Sequence, residues 1–74
     1  MALEAIVNRD GVFRVVLEQY PEGVYVLVFD TPKARSPRED HLQNDWATGR
    51  RAALQDYGVT EDMWKEIPDT RFNG

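Results

Sequence analysis

The chain has 74 residues, a net charge of −4 at neutral pH and no cysteine. A chain of this length supports one hydrophobic core, and without cysteine it can form neither a disulfide nor a thiolate metal site. The acidic balance argues against binding to phosphate backbones, which normally requires a basic face. We therefore expect a single domain over residues 1–68, followed by a flexible tail over residues 69–74.

The N-terminal stretch and the apolar runs indicate whether the protein is secreted or inserted in a membrane. The first ten residues have neither the basic region nor the apolar region of a secretory signal. The longest apolar run, residues 24–29, is far too short to span a bilayer. We expect a cytoplasmic protein with no membrane partner.

The first half of the chain predicts three antiparallel strands. They cover residues 3–9, 12–20 and 24–30, and the second is rich in β-branched and aromatic residues. The two turns between them, Arg9–Gly11 and Pro21–Gly23, both end in glycine. A glycine in that place is typical of a three-residue hairpin loop whose last residue is left-handed.

The loop length fixes which side chains share a face, because a slip of one residue exchanges the two faces. Three-residue loops pair Asn8 with Val12 and Tyr20 with Val24. One face is then uniformly apolar and is predicted to meet the helix; it contains Leu3, Ala5, Val7, Phe13, Val15, Leu17, Tyr25, Leu27 and Phe29. The other face is mixed; it contains Glu4, Ile6, Arg14, Val16, Glu18, Tyr20, Val24, Val26 and Val28.

A long helix is predicted over residues 37–57. Ser36, Pro37 and Glu39 form an S-x-x-E capping box with proline at the first helical position. Gly58 ends the helix as a left-handed cap. The positions predicted to face the sheet form one stripe: Leu42, Trp46, Gly49, Ala53 and Tyr57.

The last predicted element is a short helical turn, "EDMWKEI", which Thr60 caps and Pro68 ends. The fold class is therefore α+β. A three-stranded antiparallel β-meander packs on one long C-terminal helix, and a short helical turn follows (β-β-β-α-α).

The C-terminal half resembles a group of small bacterial proteins of uncharacterised function, in which a short antiparallel sheet precedes a helix that ends in an aromatic-Gly-hydrophobic step. The segments that carry the resemblance are "DHLQNDWATGRRAALQDYGV" and "MWKEI", with the matching positions Leu42, Ala53, Tyr57, Gly58, Val59 and Trp64. These positions are structural, so the resemblance implies a fold and brings no activity or site with it.

No constellation of residues predicts catalysis, a metal site or a cofactor. His41, the single histidine, lies four positions before Asp45, but a metal site needs three or four ligands. The single serine is explained as a cap, so no nucleophilic triad can be assembled. Basic residues in the 33–38 loop, with Arg50 and Arg51, suggest at most weak contact with nucleic acid, and binding to nucleic acid is not expected.

The sequence does not identify a biochemical function. The main hypothesis is a non-enzymatic protein-interaction module that acts as a homodimer, because the valines of the third strand would lie on an uncovered face beside an unprotected sheet edge. The two copies would meet either edge to edge through residues 24–30 or face to face, and the rival account is a monomer with half-exposed valines. The candidate interface consists of Ile6, Val16, Tyr20, Val24, Val26 and Val28. The alternatives are an unidentified protein partner, a small ligand-binding protein or enzyme that uses acidic residues, and a weak nucleic-acid binder.

Overall fold

The computed structural model describes residues 2–69. Its elements in chain order are β1 (Ala2–Arg9), β2 (Val12–Tyr20), β3 (Gly23–Phe29), β4 (Glu39–Gln43), α1 (Trp46–Tyr57), a 3₁₀ turn (Glu61–Met63) and β5 (Lys65–Ile67). The five strands form one antiparallel sheet in the order β4-β3-β2-β1-β5. The α+β class is confirmed, whereas the prediction of three strands and two helices is wrong. The predicted tail lies outside the described residues, apart from Asp69.

In the first hairpin, most of β1 pairs with β2 in the predicted register, although the loop is shorter than predicted. Its loop has two residues, since Arg9 pairs with Val12, and a bulge lies between Ile6 and Arg9. The bulge adds one residue to β1, and Asn8 adopts a left-handed φ of 50° within it. Ala5 therefore still faces Val15, as the sequence predicts, although Asn8 does not pair with Val12.

The second hairpin differs from the prediction, and the difference exchanges the faces of β3. Tyr20 pairs with Gly23, so Pro21 and Glu22 alone form the loop. Gly23 belongs to β3, where a Cβ atom would overlap the carbonyl oxygen of Gln43. The glycine thus allows close approach of β4, whereas the sequence pattern suggested a left-handed loop position.

We call the side of the sheet that carries α1 the helix face. Its buried core contains Ala5, Val12, Val15, Leu17, Val24, Val26 and Val28, together with Ala53 of α1 and Val59. Trp46 and Tyr57 of α1 pack against this cluster, as do Met63 and Trp64. The valines of β3 therefore lie beneath the helix, and the prediction that Tyr25, Leu27 and Phe29 occupy this position is wrong.

The predicted start of the helix is also wrong. Residues 39–43 form β4 beside β3, and α1 begins after Asp45, whose Oδ1 accepts a hydrogen bond from the Thr48 amide at 2.8 Å. An unpaired β3 would leave a row of backbone groups without partners beside a buried core, and pairing with β4 satisfies them. This long-range gain outweighs the local capping signal at Ser36.

The end of the helix agrees with the sequence prediction. Gly58 has a φ of 71°, its amide donates to Leu54, and the Val59 amide donates to Ala53. Val59 is buried, which provides the hydrophobic contact that accompanies such caps. Beyond this cap, residues 65–67 pair with β1 as a strand, in place of the predicted helical turn.

The opposite side of the sheet, which we call the second face, carries a smaller cluster. Ala2, Val16, Leu27 and Phe29 are buried there, with Tyr25, Ala34 and Ile67 packed against them. The guanidinium of Arg14 lies 4.2 Å from the centre of the Phe29 ring, and it forms an ion pair with Glu4 at 2.7 Å. Long polar side chains therefore cover part of this face without a second helix.

Candidate functional site at the β4 edge

The outer side of β4 is one of the two edges of the sheet. In a hairpin with a two-residue loop, the two residues that flank the loop exchange both backbone hydrogen bonds. These residues are Tyr20 and Gly23, so every second residue of β3, counted from Gly23, directs its backbone groups at β2. The residues between them direct their backbone groups at β4, and among these Val26 pairs with His41. It follows that the backbone N–H and C=O groups of Asp40 and Leu42 point away from the sheet.

The side chains of β4 alternate between the two faces. On the second face, Leu42 pairs with Tyr25, and 49% of its surface is exposed. Asp40 lies beside it and is also exposed. Among the described residues, no strand pairs with the outer side of β4, so an apolar side chain stands next to unpaired backbone groups.

On the helix face, β4 contributes to a polar network with the last residue of α1. The Tyr57 hydroxyl donates to Oε1 of Glu39 at 3.0 Å, and Nε2 of His41 lies 3.0 Å from the same oxygen. The other carboxylate oxygen of Glu39 accepts from Arg38 at 3.1 Å. Arg38 also donates to the Gly11 carbonyl at 3.0 Å, which ties β4 to the first hairpin.

This network does not have the electrostatics of an acid–base site. The hydrogen bonds from His41 and Tyr57 lower the pKa of Glu39. Burial and the hydrogen bond to Glu39 raise the pKa of Tyr57 to about 12. Catalytic acids and bases are usually tuned towards neutral pH, and both of these groups move away from it. The network is therefore better suited to holding β4 against α1.

The residues of the predicted interface are divided between the two faces. Val24, Val26 and Val28 are buried on the helix face, so the premise that they lie on an open surface is wrong. Val16 is buried on the second face. Tyr20, in edge-to-face contact with Tyr25 at 5.2 Å, is half-buried. Ile6 alone of the six predicted residues is exposed, at 49%. The predicted third strand, residues 24–30, is not an edge strand either, because β3 lies between β2 and β4.

His41 and Asp45, which a helix over residues 37–57 would place on one side, lie on different elements. His41 lies on β4 and contacts Glu39, while Asp45 caps α1. Over residues 2–69, no group of three or more histidine and carboxylate side chains is placed to hold a metal ion.

Two of the basic residues have acidic partners. Arg38 of the 33–38 loop contacts Glu39 on the helix face, while Ala34 of the same loop packs against the second face. Arg50 and Arg51 belong to α1. Arg50 also lies 3.5 Å from Glu61. A shallow depression at β5 is lined by Glu66, Ile67, Pro68 and Asp69, and none of these four described residues is basic. None of the helices in the described part of the chain is long and apolar enough to cross a membrane.

The sequence contains a signal for β4 that the capping box at Ser36 conceals. Asp45, directly before Trp46, is a second residue of a type that is favoured as a helix N-cap. A helix that starts there leaves residues 39–43 free to form a strand.

No protein-family model, no curated protein and no solved structure matches this chain. The resemblance to small bacterial proteins stays a prediction, and function has to be inferred from the geometry of the chain itself.

Proposed function

We propose that the protein is a non-enzymatic protein-interaction module that binds by adding a strand of its partner to the outer edge of β4. One observation carries the proposal: the backbone groups of Asp40 and Leu42 point outward on an edge strand that no described strand covers. Unpaired edge groups are a template for another extended chain, and strand addition is a common mode of recognition.

The features of β4 favour binding over simple exposure. Natural edges are blunted by charged side chains, above all lysine, by proline or by a bulge that turns the edge away. Within Glu39–Gln43 there is neither lysine nor proline, and the charged side chains are the carboxylates of Glu39 and Asp40. Leu42 adds an exposed apolar contact next to the edge. We place this module in the cytoplasm, in keeping with its lack of cysteine.

An enzyme or ligand-binding protein remains the alternative, and its support is the Glu39, His41 and Tyr57 network. The pKa shifts of Glu39 and Tyr57 away from neutrality weigh against it. Nucleic-acid binding has less support, because the chain has a net charge of −4 and Arg38 and Arg50 lie beside the carboxylates of Glu39 and Glu61.

The proposal is tested by capture of binding proteins from an extract of the cells that make the chain. Asp40→Pro removes an outward N–H and places a proline ring in the path of an incoming strand, while the hydrogen bonds to β3 stay intact. Asp40→Ala is the matched control, because it removes the same carboxylate and keeps the N–H. We expect wild type and Asp40→Ala to retain a binding protein that Asp40→Pro loses.

Two outcomes would contradict strand addition. Equal retention by Asp40→Pro would show that the outward backbone groups are not used. Equal loss with Asp40→Ala would show that the carboxylate, not the backbone, recognises the partner. The far-UV spectrum and the thermal midpoint of each variant establish that both are folded.

A further inference from the structure

We infer that the partner at this edge is a second copy of the same chain, joined through antiparallel pairing of the two β4 strands about a two-fold axis at His41. The inference rests on the proposed function and specifies its partner. A symmetric pair of edges is the usual way in which a single chain closes such a surface.

The position of the axis follows from the bounds of β4 and from the direction of its backbone groups. The outward groups belong to Asp40 and Leu42, on either side of the centre of Glu39–Gln43. An axis at His41 pairs Asp40 with Leu42 of the second copy, and Leu42 with its Asp40. All outward groups within the strand are then satisfied, and all five residues overlap.

Neighbouring registers are worse. An axis at Asp40 places the two Asp40 carboxylates directly opposite each other, which is unfavourable. An axis at Leu42 pairs Asp40 with Asn44, which lies beyond the end of β4, and leaves Glu39 opposite Asp45, where the chain already turns into α1. The pairing at His41 avoids both problems.

On the helix face, the same register places complementary side chains of the two β4 strands opposite each other. Glu39 lies opposite Gln43 of the second copy, so that a carboxylate faces an amide donor. The two His41 residues form a pair without backbone hydrogen bonds, and each lies diagonal to Glu39 of the other copy. Each imidazole then has a carboxylate on both sides, since its own Glu39 is 3.0 Å away.

Pairing about an axis perpendicular to the sheet keeps both helices on one face. The result is a continuous sheet of the two copies in which Leu42 is no longer at an edge. The free chain exposes 49% of Leu42, and the strand of the second copy would cover part of that surface.

Disulfide trapping tests the register, because the chain has no cysteine of its own. Facing residues without backbone hydrogen bonds have Cα atoms about 4.5 Å apart, which lies within the range that a disulfide spans. We expect His41→Cys to form a covalent dimer under mild oxidation at least about tenfold faster than Asp40→Cys or Leu42→Cys. The two controls place the same thiol on the same strand but away from the axis.

The unmodified chain provides a second readout that does not depend on replacing His41. Light scattering after size exclusion should give twice the chain mass at about 100 µM and the single-chain mass for Asp40→Pro, as expected for strand pairing. A single-chain mass for the wild type would overturn the second copy as partner, yet capture of another protein that is sensitive to Asp40→Pro would leave the proposed function standing. Faster trapping of Leu42→Cys than of His41→Cys would overturn the register, and a dimer that persists in Asp40→Pro would overturn the edge itself.

Discussion

Each face of the sheet has a fully buried centre, and the two centres are covered by different means. On the helix face, Val15, Leu17 and Val26 are almost inaccessible because α1 lies over them. On the second face, Val16 and Phe29 are as inaccessible, but much of what packs on them is polar or aromatic. The difference shows that a small domain with one helix can bury a second face when long side chains such as Arg14 lie along it.

The difference also sets how each face responds to change. The helix face is aliphatic, so its stability depends on apolar area and packing. The second face depends in addition on an ion pair between Glu4 and Arg14 and on the contact of Arg14 with Phe29. Substitutions that test the two faces should therefore differ in size and in their response to salt.

The largest expected effect is that of Val26→Lys. Val26 is 1% exposed beneath α1, and a lysine there would bury an uncompensated charge in an aliphatic cluster. We expect a loss of more than about 4 kcal/mol in the free energy of unfolding, enough to unfold a domain of this size. Denaturant titration followed by far-UV circular dichroism measures it. The matched change Ile6→Lys, at an exposed position of the second face, should cost about 1 kcal/mol or less, mainly because the new charge lies opposite Arg14.

The next effect concerns the second face. Arg14→Ala removes the ion pair with Glu4 and uncovers the Phe29 ring. The side chains of Arg14 and Glu4 are 17% and 22% exposed. We expect a loss of about 1–3 kcal/mol, because a partly buried carboxylate loses this partner and a cation–π contact disappears. A double-mutant cycle with Glu4→Gln separates the two contributions. A coupling energy near zero would show that the ion pair is not what stabilises this face.

A smaller effect is expected at the N-terminus of α1, the helix that covers the helix face. Asp45→Ala removes the hydrogen bond to the Thr48 amide and should lower the thermal midpoint by a few degrees. Ser36→Ala is the control, since Ser36 precedes β4 and caps no helix. If Ser36→Ala were the more damaging change, the helix would start where the capping box predicts.

The sequence predicts most of the helix face but not its contribution from β3. The alternation in β1 and β2 predicts correctly that Leu3, Ala5, Val15 and Leu17 share a face. For β3 both sides of the strand are apolar, so the pattern cannot correct an error in loop length. The two-residue loop then reverses every side chain of the strand.

The candidate site could not be predicted because β4 depends on long-range pairing. Residues 36–39 carry a genuine local signal for a helix start, and the gain from pairing with β3 appears only in the folded sheet. The homodimer hypothesis had valines of β3 as its interface, and those valines lie in the core. Among the described residues, the edge strand on this side of the sheet is β4 rather than β3.

The smallest expected effect lies where the helix face meets that edge. Since the pKa of Glu39 is lowered in the folded chain by His41 and Tyr57, the ionised carboxylate contributes stability above its unfolded pKa of about 4.3. This contribution is lost as the pH falls through the lower folded pKa. Tyr57→Phe removes one of the hydrogen bonds, so the pKa of Glu39 should rise towards its ordinary value and the acid side of the stability profile should flatten. A carboxyl-carbon NMR titration of Glu39 measures the shift directly, with Tyr25→Phe as a control because its hydroxyl donates to Glu22 instead. An unchanged Glu39 titration in Tyr57→Phe would mean that this hydroxyl does not hold β4 against the helix, and that the edge is positioned by backbone pairing with β3 alone.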